Sequence, residues 1–97
     1  MSVVAEMSIF PLDKGVSLSP YVARAIAVIK DSGLEYQLTP MGTCIEGQWP
    51  EVLQTVNRCF QDLQQDCDRI SLNLKVDYRS GDEKRMQAKT ASVQAKL

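Results

Sequence analysis

The sequence predicts an α+β sandwich, a four-stranded antiparallel sheet with helices packed on one face. Three observations in the 97 residues predict it. Two runs, Val3 to Phe10 and Ile70 to Tyr78, alternate their apolar residues with period two. Two others, Val22 to Ile29 and Val52 to Leu63, repeat them at three- and four-residue intervals. Between the two helix runs, Pro40-Met41-Gly42 separates two short strand-like stretches as a hairpin turn would.

In chain order, Val3, Ala5, Met7 and Ile9 form a fully apolar face against the mixed set Val4, Glu6, Ser8 and Phe10, which makes the first element a strand. Pro11 to Leu18 contains Gly15 and reads as a loop. Ser19 is placed to cap the following helix, whose first turn accepts Pro20 without losing a hydrogen bond. The stripe Val22, Ala25, Ile26 and Ile29 needs burial, and Gly33 ends the helix. Leu34 to Leu38 and Thr43 to Glu46 then form a hairpin. Pro50 opens a second helix carrying Val52, Leu53, Val56, Cys59, Phe60 and Leu63 and ending around Asp66-Cys67-Asp68. Ile70, Leu72, Leu74, Val76 and Tyr78 alternate with polar residues as the fourth strand, and Ser80-Gly81-Asp82 breaks it. A third helix is expected from Glu83 to Leu97, with Met86, Thr90, Val93 and Leu97 as one stripe.

The order βαββαβ plus a terminal helix specifies a ferredoxin-like sandwich in a single domain spanning residues 1–97. That topology gathers Pro11–Ser19, Pro40–Thr43 and Arg69 at one end of the sheet. Its helix-free face should carry Val4, Glu6, Ser8, Phe10, Cys44, Glu46, Ser71, Asn73, Lys75 and Asp77. A face so mixed, with a further amphipathic helix beside it, suits a homo-oligomer, a dimer or a dimer of dimers.

Composition narrows the function. Eleven basic against twelve acidic residues give a net charge of −1, which offers no general attraction for nucleic acid or an anionic membrane. The N-terminal residues carry no basic segment followed by a long apolar core, so a cytoplasmic protein with no membrane span is expected. Cys44, Cys59 and Cys67 are odd in number and form no C-x-x-C pair, which suits reduced thiols. Histidine is absent, removing the commonest metal ligand and the side chain that titrates near neutral pH. Metal chemistry and acid/base catalysis are both disfavoured, and the expectation is a protein that is not an enzyme.

The residues resemble the family of small thiamine-binding proteins. The resemblance rests on Ala5-Glu6 and Pro11-Leu12, on Ser19-Pro20-Tyr21-Val22-Ala23, and on Met41-Gly42-Thr43 with Ile45-Glu46-Gly47. It continues through Lys75-Val76-Asp77 with Arg79, Lys89 and Ser92-Val93, nearly the whole chain. The sequence departs from the family pattern at Asp13, where a glycine is usual, and at Cys59-Phe60, where a histidine is frequent. Likeness implies a ferredoxin-like fold and a non-enzymatic cytoplasmic homotetramer binding thiamine or its pyrimidine moiety, with no cofactor beyond that ligand.

An aminopyrimidine needs hydrogen-bonding groups at its edge and an apolar surface on its face. Ser17, Ser19, Met41, Gly42 and Thr43 are the candidates at the predicted end cluster, with Glu6, Glu46 and Tyr36 as further ones. Each has a plain structural reading: Ser19 as a helix cap worth ~1 kcal/mol, Met41-Gly42-Thr43 as a tight turn, and Glu6 as a strand charge neutralised by Lys75. Cys44 has no evident activator and is read as a buried or interfacial thiol. Two other function classes compete with the carrier or sensor of a thiamine-like molecule. One is a structural or regulatory homo-oligomer with no physiological small ligand. The other, an acylphosphatase-like enzyme on the same architecture, needs an arginine in the loop after the first strand, and Leu12-Asp13-Lys14-Gly15-Val16 has none.

Overall fold

The computed structural model describes residues 2–80 and 85–97. Its elements are β1 (Ser2–Pro11), α1 (Ser19–Asp31), β2 (Glu35–Thr39), β3 (Gly42–Gln48), α2 (Trp49–Gln64), β4 (Ile70–Tyr78) and α3 (Arg85–Gln94). The four strands form one antiparallel sheet in the order β2-β3-β1-β4. This is the ferredoxin-like α+β arrangement that the alternation of periods predicts. Gly81-Asp82, expected to break the last strand, and Glu83, expected to start the last helix, lie outside the described residues.

Register follows from which side chains must be dry. Ala5 pairs with Ile45 on one side and Val76 on the other, and Met7 with Thr43 and Leu74, so all six project towards α1 and α2. Val4 pairs with Glu46 and Asp77, and Glu6 with Cys44 and Lys75, on the opposite face. The core closes where Val3, Ala5, Met7 and Ile9 meet Ala25 and Ile29 of α1 and Val52, Val56, Cys59 and Leu63 of α2. Burial of each large aliphatic side chain here contributes about 1.5–3 kcal/mol.

Both main helices begin without a side-chain cap. Ser19 is not the N-cap of α1. Leu18 holds that position, and its carbonyl already accepts the amides of Tyr21 and Val22 at 3.0 and 3.1 Å, so Ser19 is drawn into the first turn. The helix ends as expected, at Gly33 with φ +78°. The two helices are then riveted together by Arg24, which donates to Asp62 Oδ2 at 3.0 Å, to the Asp62 carbonyl at 2.8 Å and to both oxygens of Asp66 at 2.9 Å.

The loop after β1 is tied to the start of β4. Leu12 N–H donates to the Arg69 carbonyl at 2.8 Å, and Asp13 accepts the Asp68 amide at 2.8 Å. Asp13 thus does a job that a glycine in its place could not. The Asp68 amide holds the Asp13 carboxyl below its ordinary range, and the Arg24 guanidinium does the same to Asp66. A group whose folded value is depressed contributes stability above its unfolded value and loses it as pH falls through the folded one. Unfolding midpoints are therefore expected to stay level from neutral pH to about 5 and to decline below about 4. Arg24→Gln should flatten that decline without abolishing it, because Asp13 keeps its partner; urea titrations across pH measure both.

The third helix departs from its predicted stripe. Met86 is buried, but Val93 is 61% exposed and Leu97 fully so. The helix packs against β3, and Lys89 pairs with Asp77 of β4. The face opposite α1 and α2 is consequently part covered, which is why Glu46 is buried on it.

Candidate functional site

The tip of the β2-β3 hairpin forms because Thr39 and Gly42 pair across a two-residue turn, Pro40-Met41. Thr39 Oγ1 donates to the Gly42 carbonyl at 2.8 Å and accepts the Met41 amide at 3.3 Å. A Cβ on residue 42 would lie 2.8 Å from the backbone oxygen of Met7, closer than real Cβ contacts come. Gly42 therefore lets the hairpin press against β1.

Behind this tip is a hollow of about 140 Å³. One wall is Met7 to Phe10 at the end of β1, the second is Val22, Ala25 and Ile26 on the first turns of α1, and the third is Leu38 to Thr43. Thr43 is 3% exposed and turns its side chain to the helix face. Among the described residues its hydroxyl has no hydrogen-bond partner, so it remains available to a guest. Met41 stands at the rim, 82% exposed. The floor is apolar, with the hydroxyl of Thr43 as a polar contact.

The sequence-predicted residues fall into four groups. Met41, Gly42 and Thr43 line this hollow. Ser17 and Ser19 lie at the α1 entrance, exposed and not part of its wall. Tyr36 packs against the core from the helix side of β2. Glu6 and Glu46 lie on the other face of the sheet, flanking Cys44. The eight candidates therefore do not make one site. Glu6 and Lys75 oppose each other as expected, but no ion pair joins them among the described residues.

Val22, Ala25 and Ile26 were legible only as a burial stripe, because a residue that lines a cavity and one that fills the core share the same periodicity. The available signal was topological: α1 starts above the β2-β3 tip, so its first turns must face that tip.

Nothing in the thiols suggests nucleophilic chemistry. Burial pushes Cys59 up to about 11, and its Sγ lies 3.5 Å from the Ala25 carbonyl. Burial, with the charge of Glu6, raises Cys44, and burial, with Asp66 and Asp13, raises Cys67. Among the described residues there is no cluster of His, Cys, Asp and Glu that could hold a metal, and no helix long and apolar enough to cross a membrane.

Comparison with known proteins gives a consistent picture. The model of the family described as thiamine-binding protein matches residues 5–94. The UPF0045 protein of Methanocaldococcus jannaschii is 38% identical over 91 residues, covering 94% of this chain and 91% of that one. A UPF0045 protein of Mycobacterium bovis is 39% identical over 98 residues, covering 100% of this chain and 96% of its own. The crystal structure of the Methanocaldococcus protein superimposes with a TM-score of 0.90, over 96% of each chain. A Thermotoga maritima protein, described provisionally as a thiamine biosynthesis/salvage protein, does so with a TM-score of 0.81 at 25% identity, over 94% of this chain and 99% of that one.

Proposed function

The chain belongs to the thiamine-binding protein family, and from that premise we propose that it is a non-enzymatic cytoplasmic binder of thiamine or a hydroxymethylpyrimidine-like precursor, acting as carrier or sensor. The hollow behind the Pro40-Met41 turn is the observation that carries this reading. At about 140 Å³ it has the capacity of a cavity of roughly 150 Å³ that takes up one benzene ring. One six-membered heteroaromatic ring enters; a two-ring molecule leaves its second ring outside. The aminopyrimidine would lie between Ile26 and Leu38, with an edge nitrogen on the Thr43 hydroxyl, and the thiazolium would extend past Met41 into solvent. The raised thiols and the lack of histidine support a binding rather than a catalytic role.

Titration calorimetry with thiamine, and separately with 4-amino-5-hydroxymethyl-2-methylpyrimidine, tests the proposal. Comparable heats for both are expected, because the ring they share makes the buried contacts. Absence of heat and of any thermal shift with both at millimolar concentration removes it. A second reading, an assembly module in which the hollow has no physiological guest, is favoured by one observation: Leu72, Val76 and Tyr78 on the helix side of β4 remain exposed.

A further inference from the structure

The hollow behind the hairpin tip is uncharged on every side. Among the described residues that line it, none carries an ionisable side chain. The charges on the surrounding elements are all engaged or turned elsewhere. Arg24 of α1 gives its guanidinium to Asp62 and Asp66 at 2.8 to 3.0 Å. Lys30 and Asp31 belong to the last turn of that helix, where Asp31 meets Arg58 at 3.3 Å. Glu6 of β1 stands in register with Cys44 and Lys75 on the helix-free face, so the sheet separates its carboxylate from the hollow. Glu35 and Glu46 oppose each other at the end of the hairpin remote from its turn. In the loop after β1, Asp13 accepts the Asp68 amide, and the charge of Lys14 acts on Asp66.

We propose that the hollow selects its guest by charge state, taking the neutral aminopyrimidine ring and shutting out the same ring once a nitrogen is protonated, a selection that rests on reading this hollow as the aminopyrimidine site. An aminopyrimidine nitrogen takes up a proton in mildly acid solution. Moving that cation out of water into a space with no counter-charge costs more than the Thr43 hydroxyl and backbone dipoles return. The bound ring therefore has a lower pKa than the free one. Affinity is full above the free value and is lost as pH falls through it, and a ring that arrives protonated gives its proton to solvent on entry. The two guests then part company. The thiazolium cation makes the pyrimidine of thiamine less basic than that of the hydroxymethylpyrimidine, so thiamine should stay bound to lower pH. Titration of the protein's own groups would move both guests alike.

Calorimetric titrations of the full chain with thiamine and with 4-amino-5-hydroxymethyl-2-methylpyrimidine test it, run from about pH 8 down to the point where circular dichroism begins to report unfolding. Absorbance of each free compound supplies its ring pKa. Dissociation constants should be level above that value and rise about tenfold per pH unit below it, with the thiamine curve displaced to lower pH by the difference between the two ring pKa values. Near each ring pKa, heats compared in two buffers of different ionisation enthalpy should show proton release. Thr43→Asp sets a carboxylate in the hollow, and the folded variant should bind more tightly as the ring protonates. Four results overturn the proposal while leaving the aminopyrimidine site in place: an affinity that stays level or grows through the ring pKa, loss at one common pH for both guests, proton uptake on binding, or a folded Thr43→Asp protein with the wild-type profile. Absence of heat at every pH removes the site and the selection together.

Discussion

Ala25→Leu is expected to remove ligand binding and leave the fold standing. Ala25 is buried on the inward side of α1 and forms part of the hollow's wall. A leucine there sends its branched end into the space a pyrimidine ring would occupy, so the guest and the side chain exclude each other. The affinity for thiamine and for the hydroxymethylpyrimidine should fall at least about 100-fold, or ~2.8 kcal/mol. The change is steric, so adding ligand should not recover the signal within a practical range. Overpacking a dense interior costs about 1–3 kcal/mol, but here the added carbons enter an existing space, and the unfolding midpoint should move by only a few degrees. Val16→Ser, at a fully exposed site in the loop after β1, is the matched control and should bind as the wild type does. Calorimetry paired with thermal melts separates the outcomes: a folded Ala25→Leu protein with unchanged heat places the guest elsewhere.

The second large effect is on stability. Leu63 lies at the end of α2, has no solvent exposure and packs in the cluster that also holds Ile29, Val56 and Cys59. Leu63→Ala removes three carbons from a site bounded by the sheet on one side and by the Arg24-linked helix pair on the other. The Arg24 bonds to Asp62 and Asp66 hold the adjoining turns of α2 in place, so the site collapses poorly and a destabilisation of about 3–4 kcal/mol is expected. A domain of this size has a total stability of roughly 5–15 kcal/mol and loses about 4–8 °C per kcal/mol. The midpoint should therefore drop by about 12 °C or more. Leu63→Met, which keeps the volume, should cost less than about 1.5 kcal/mol. Equal losses for the two substitutions would show that cavity formation is not what the position controls.

Which residues share each face of the sheet was readable in advance because period two leaves no choice: once Val3, Ala5, Met7 and Ile9 must be buried, Glu6 cannot be, and it shares the helix-free face with Cys44 and Lys75. The hairpin was readable from Pro40 and Gly42. The openings at Pro20 and Pro50 were readable too, but the cap of α1 was not, because Ser19 satisfies the composition rule for a cap while the Leu18 carbonyl settles the geometry. The extent of α3's packing was equally hidden, since Val93 and Leu97 keep helical spacing although the sheet ends before they reach it. The candidate site was half readable. Met41, Gly42 and Thr43 announce themselves by their place in the turn, and strand parity already set Glu6 and Glu46 on the opposite face from Thr43, so those two did not belong to the same candidate cluster.

The close approach of Gly42 to the Met7 carbonyl has a bearing on selectivity. Two of the hollow's walls are backbone held in contact, and the third is a helix anchored through Arg24, so none can swing aside to admit a larger guest. Recognition of this kind works as a gauge: it needs little rearrangement on entry, so little entropy is lost in ordering the protein, and it rejects by bulk. Only the Met41 thioether, pliable and unconfined at the mouth, adapts to what protrudes. Substituents on the buried ring should thus be discriminated sharply, and those on the projecting portion hardly at all.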